Sequence, residues 1–97
     1  MPKPPIVPKN VIHALDERNL LGYLDEVCRA HHVTRIEVCS IDRSRSIVTA
    51  RHELWWRLRQ LKLSYVEIAR LFGRNHTSVL HGVTRRDEQI LAQPRAA

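Results

Sequence analysis

A chain of 97 residues, 43% hydrophobic and 27% charged, supports one compact domain with a modest core and argues against wholesale disorder. Its net charge of +6 is uneven: residues 1–42 carry five basic and six acidic groups, whereas residues 43–86 carry ten basic groups and two acids, Glu53 and Glu67. No apolar run reaches the roughly 18 residues of a membrane span, and the start lacks the apolar core of a secretion signal, so a cytoplasmic protein with no membrane partner is expected.

Residues 1–9, Met1-Pro2-Lys3-Pro4-Pro5-Ile6-Val7-Pro8-Lys9, read as a flexible, proline-rich tail. One domain is expected over residues 10–92, with residues 93–97 as a second tail. A first helix follows Asn10, its apolar stripe formed by Leu20, Leu21, Leu24, Val27 and Cys28, with Asn10 or Asp16 as its cap. It ends near His31-His32. Thr34 then caps a short helix containing Ile36, Val38 and Cys39, although the β-branched Val33, Thr34, Ile36 and Val38 also suit a strand. Cys28 and Cys39 are expected as buried free thiols of a reducing compartment.

Residues 40–46 form a flexible loop rich in arginine and serine, and Ser46 is the expected N-cap of a long helix. Its stripe is Ile47, Ala50, Leu54, Trp55, Leu58 and Leu61. Ser64 followed three residues later by Glu67 is a capping box, opening a short helix with Val66, Ile68, Ala69, Leu71 and Phe72. Gly73 ends it, because a glycine accepts the left-handed conformation after a last turn. Asn75 caps a final helix that Gln93-Pro94 stops. The expected class is all-α: a compact four- to five-helix bundle with a C-terminal helix-turn-helix.

Ser64 to Val83 carries the chemistry. Two capped helices joined by a one-glycine turn make a helix-turn-helix, whose second helix presents its first residues to base edges in the major groove of double-stranded DNA. Those residues are Arg74, Asn75, His76, Thr77 and Ser78, all short or planar hydrogen-bonding types. Val79, Leu80 and Val83 pack inward behind them. Arg43 and Arg45, on the loop, can enter a narrow minor groove, and Arg51 can meet phosphate or base. Arg59 and Lys62 are candidate phosphate contacts.

The run Arg43-Ser44-Arg45-Ser46, Ala50-Arg51, Ser64-x-x-Glu67-Ile68-x-x-x-Phe72-Gly73 and Arg74-Asn75-His76-Thr77-Ser78-Val79-Leu80-His81 resembles the C-terminal DNA-binding domain of the bacterial replication initiator DnaA, a Trp-repressor-like helix-turn-helix. The resemblance implies that Arg43 enters the minor groove of the DnaA box, that Arg51 contacts DNA, that Arg74 is the turn arginine, and that His76, Thr77 and Ser78 are recognition residues. Three positions depart from that pattern. Asn75 stands where Asp is usual, His52 where glutamine is common, and one glycine, Gly73, where there are often two. A variant box is therefore expected.

The initiator's ATPase carries a Gly-x-x-x-x-Gly-Lys-Ser/Thr loop, whereas the three glycines here, Gly22, Gly73 and Gly82, form none, so no nucleotide and no cofactor are expected. Cys28, His31, His32, His76 and His81 lack zinc-ligand order, so no metal is expected either. No serine, cysteine or carboxylate stands in a catalytic constellation, which argues against an enzyme. Trp55 belongs to the core. Trp56, about 100° away on the helix, is either covered by the N-terminal segment or exposed for a protein partner. The leading reading is a stand-alone DNA binder at DnaA-box-like sites that modulates replication initiation or transcription without the ATPase. The alternatives are a protein-interaction adaptor using Trp56 and the first helix, and a DNA-targeting component of a mobile element.

Overall fold

A computed structural model describes residues 8–92, and within them every element is helical. There are six helices rather than four or five: α1 (Pro8–Glu17), α2 (Leu21–His31), α3 (Arg35–Cys39), α4 (Arg45–Gln60), α5 (Tyr65–Phe72) and α6 (His76–Ala92). Most of the two expected tails, residues 1–7 and 93–97, lies outside the described residues. Pro8 and Lys9, however, belong to α1, where proline suits a first turn that has no use for its missing N–H.

The extra helix comes from a break at Arg18-Asn19-Leu20. Asn19 adopts the left-handed conformation (φ 58°), and Leu20 N–H donates to Leu15 C=O at 2.9 Å. That bond closes α1 as a Schellman motif, in which a residue beyond the helix satisfies a last-turn carbonyl. Neither Asn10 nor Asp16 is an N-cap; both lie inside α1. The same closure recurs along the chain: Val33 donates to Cys28 C=O behind left-handed His32, Leu63 to Leu58 C=O behind Lys62, and Arg74 to Ala69 C=O behind Gly73. Only the last of these uses glycine.

Thr34 decides the contest between helix and strand. Its hydroxyl accepts the Glu37 N–H at 3.1 Å, and the Glu37 carboxylate accepts the Thr34 N–H at 2.9 Å, so α3 begins on a capping box. Ile36 is exposed, leaving Val38 and Cys39 as the buried face of α3. The long helix starts a residue before the expected cap. Ser44 is the N-cap position and Ser46 lies inside α4, because the Asp42 carboxylate already turns the chain by accepting the Ser44 N–H at 2.7 Å.

α4 is the central strut. Ile47, Ala50, Leu54, Trp55 and Leu58 are buried on it, while Leu61, beyond its end, is exposed. Around them pack Val11 and Leu15 of α1, Leu24 and Val27 of α2, Ile68 and Phe72 of α5, and Val79 and Val83 of α6. Phe72 meets Trp55 edge to face, with ring centroids 5.8 Å apart. α6 approaches α4 so closely at Gly82 that a Cβ there would lie 2.7 Å from His52 Cδ2 and from Trp55 Cε3. The glycine therefore sets how α6 sits on the strut. No helix of the described residues is long and apolar enough to cross a membrane.

Candidate nucleic-acid interface

The helix-turn-helix is built by two caps and a turn. Ser64 Oγ accepts the Glu67 N–H at 3.0 Å, and Glu67 Oε1 accepts the Ser64 N–H at 3.2 Å. These bonds, with Arg18 at 3.2 Å, hold the Glu67 carboxyl below the usual carboxylate range. Gly73 is left-handed as expected (φ 62°). Asn75 Oδ1 then accepts the Thr77 N–H at 2.8 Å and starts α6. This bond uses one of the two lone pairs of Asn75 Oδ1 and leaves both N–H donors of the amide unused. His76, Thr77 and Ser78 are all exposed, while Val79 and Val83 are buried behind them. Leu80, expected inside, is among the exposed hydrophobics, because it sits one position off the buried stripe.

The α3–α4 loop is a built structure rather than a flexible one. Ser40 Oγ donates to Glu37 C=O at 2.6 Å and accepts the Asp42 N–H at 3.1 Å. Two arginines fasten it to the rest of the fold. Arg51 donates to Val38 C=O at 2.9 Å, to Asp42 C=O at 3.0 Å and to Glu37 C=O at 3.5 Å. Arg74, from the helix-turn-helix turn, donates to Ser40 C=O at 2.8 Å. The loop that carries Arg43 is thus tied to the turn that aims α6, and it leads into Arg45, which is the first residue of α4 and not, as expected, a loop residue.

Arg51 therefore departs from its expected place. It is 4% exposed, and its guanidinium faces carbonyl groups, not the outer surface. Burial, with Arg74 next in importance, pushes its pKa down to about 10. Burial and then Arg43 lower Arg74 in the same way, so Arg43, Arg51 and Arg74 form one positive cluster. Arg59 is also engaged: it lies 4.5 Å over the Tyr65 ring and donates to Leu63 C=O at 2.9 Å, which fixes the α4–α5 corner. Lys62 is exposed at that corner. The corner stands about 22 Å along α4 from Arg45, so the structure does not bring Arg59 and Lys62 together with the loop arginines.

His52 is half-buried under Gly82, and its pKa is lowered by burial, then by Arg51 and Arg85. With Arg43 and Arg45 it lines a groove of about 320 Å³ that also takes in Arg85 and Gln89 of α6. The sequence reading missed these two. Their signal was spacing: Arg85 lies seven residues beyond Ser78, hence on the same face of a helix. Its neighbour Arg86 turns inward and meets the buried Glu53 at 2.6 Å. Trp56 is half-buried and donates from Nε1 to Asp87 at 2.6 Å, so its polar edge is held by α6. No three His, Cys, Asp or Glu side chains among the described residues form a metal-holding group.

Residues 24–85, from α2 to Arg85, match the family of bacterial DnaA protein helix-turn-helix domains. The chain belongs to this family. It is also 45% identical over 69 residues to the chromosomal replication initiator protein DnaA of Thermomicrobium roseum, a match covering 69% of this chain and 15% of that protein. No solved structure matches the chain. The DnaA helix-turn-helix match takes in the loop, the turn and the start of α6. α1 lies before it, and packs Val11 and Leu15 into the shared core.

Proposed function

We propose that this chain binds double-stranded DNA at DnaA-box-like sites and that its occupancy modulates replication initiation or transcription. One observation carries the reading. The exposed polar tip of α6 and the exposed Arg43 of the α3–α4 loop, with Arg45 at the start of α4 beside it, are tied to each other through the Arg74 bond to Ser40 C=O. A major-groove reader and an adjacent minor-groove reader need that fixed relation, because a helix and an arginine must enter neighbouring grooves together.

In this reading Asn75, His76, Thr77 and Ser78 meet base edges, and Arg43 enters the minor groove. Arg45 and Lys62 meet phosphate. Arg51, Arg59 and Arg74 position the loop, the corner and the turn. Asn75 presents N–H donors, so it favours a base edge that accepts, such as the purine N7 or thymine O4. His52, half-buried under Gly82, meets DNA from the groove it lines with Arg43, Arg45 and Arg85. None of these residues draws on a nucleotide, and the 97 residues contain no phosphate loop.

In vitro selection of bound duplexes, repeated with Thr77→Ala, tests the reading. Thr77 is exposed, so the variant folds as the parent does, while its discrimination between the selected duplex and a scrambled one falls about tenfold. Equal loss of affinity for both duplexes would show that Thr77 touches backbone and reads nothing.

A further inference from the structure

Three exposed arginines from two parts of the chain, Arg43, Arg45 and Arg85, converge on one groove. The groove of about 320 Å³ lies between the α3–α4 loop, the first turns of α4 and the second half of α6. Arg43, Arg45 and Arg85 line it with Thr49, His52 and Gln89, and no carboxylate lines it. Among the described residues none of the three arginines has an ion-pair partner. Arg85 also borders a second depression, with His81, Thr84 and Glu88, so one carboxylate lies a turn on from it outside the groove, with no ion pair formed between them. Thr49 Oγ1 already donates to Arg45 C=O at 2.8 Å, so the lining presents guanidinium and amide donors. Three guanidinium groups on one groove with no carboxylate in its lining repel one another, and an anion with several acceptor oxygens relieves that repulsion. The His52 imidazole on the groove wall has its pKa lowered by burial first and then by Arg51 and Arg85.

The groove's distance from the α6 tip says what the anion is. Arg85 and Ser78 share a face and are separated by about 10 Å of helix, at 1.5 Å per residue. The major groove is about 8.5 Å deep. Where the helix enters the groove first turn foremost, Arg85 lies at the level of the sugar–phosphate rim. Arg43, which also lines the groove, joins this level to the minor-groove side.

The geometry points to this groove as a binding site for a DNA backbone phosphate, with Arg85 as its anchoring residue. The site rests on the DNA-reading function proposed above and extends it from the tip of α6 to the flank. It accounts for the division of the Arg85-Arg86 pair, one residue turned into the core on Glu53 and the other left on the surface.

The test is equilibrium binding of the whole chain to its selected duplex and to a scrambled duplex between 50 and 200 mM salt, comparing wild type with Arg85→Ala and Gln89→Glu. Each phosphate contact contributes about 0.9 to the slope of log affinity against log salt. Arg85→Ala therefore flattens the slope by about 0.9, weakens both duplexes alike, and narrows its deficit about 3.5-fold over that salt range. Gln89→Glu, which places a carboxylate in the groove, weakens binding most at the lowest salt. If either variant binds as the wild type does at every salt, the groove holds no phosphate, and the reading by α6 stands without it. If the wild type itself shows no salt-dependent affinity for duplex DNA, the underlying function fails, and this site with it. Arg85 is exposed, so an unchanged melting temperature confirms that Arg85→Ala reports on binding.

Discussion

The α3–α4 loop has an inner and an outer face, and arginines occupy both. Arg51 and Arg74 reach the inner face, where they satisfy carbonyl groups of Glu37, Val38, Ser40 and Asp42. Arg43 and Arg45 stand on the outer face, exposed and without a carboxylate partner among the described residues. The inner pair gives up hydration for fixed bonds and loses pKa to burial. The outer pair keeps its charge available. These four arginines thus divide: Arg51 and Arg74 hold the loop by its carbonyl groups, and Arg43 and Arg45 leave their charge exposed. A charge count alone would have assigned both halves to the surface.

This comparison can be broken by exchanging which half is removed. Arg51→Ala leaves the carbonyl groups of Glu37, Val38 and Asp42 without their shared donor inside the fold, so it should cost about 3 kcal/mol of stability in urea unfolding. DNA affinity should fall with it, since the loop carrying Arg43 loses its anchor. A variant with wild-type stability and weakened binding would return Arg51 to the surface.

Arg43→Ala is the opposite case. The melting temperature should stay within a degree or two, because surface substitutions are nearly neutral, while affinity for the selected duplex drops about tenfold. A large fall in stability with unchanged binding would reverse the roles of the two faces.

His52 sharpens the comparison with the smallest effect. Its folded pKa lies below the ordinary 6.5 because it is half-buried beside Arg51 and Arg85. The unfolded chain then takes up the proton first as pH falls, so this group's contribution is complete above about pH 6.5 and is lost progressively below it. In the DNA complex the sign reverses, since a phosphate in the groove favours the imidazolium. His52→Gln should remove both effects: a shallower loss of urea midpoint from pH 7.5 to 5.5, and a DNA affinity that no longer rises on acidification. The wild-type pH slopes persisting in the variant would place the titrating group elsewhere.

The parts of this fold legible from sequence are those written in local chemistry. Ser64 and Glu67 form the expected reciprocal cap, Gly73 takes the left-handed turn, and Asn75 starts α6, because each needs only residues within three positions. The α1–α2 break escaped because Asn19 and Leu20 close the helix without a glycine, and asparagine in that conformation leaves no periodicity signal. The roles of the basic residues were legible only as a sum. Arg51 pairs with carbonyl groups 9 to 14 residues away and Arg74 with one 34 residues away, and hydrophobic periodicity carries no information about such partners. Trp56 likewise finds Asp87 across 31 residues. Arg85 is the exception, since its spacing of seven residues from Ser78 places both on one helix face.

In the proposed function the tip of α6 and the outer face of the loop read duplex DNA as one unit. Equilibrium binding of the whole chain to a selected duplex and to a scrambled one, over 50 to 200 mM salt, tests it most directly. The account predicts affinity for both that falls steeply with salt, and a preference for the selected duplex of about a thousandfold or more. Affinity indifferent to salt, or equal for the two duplexes, would contradict it.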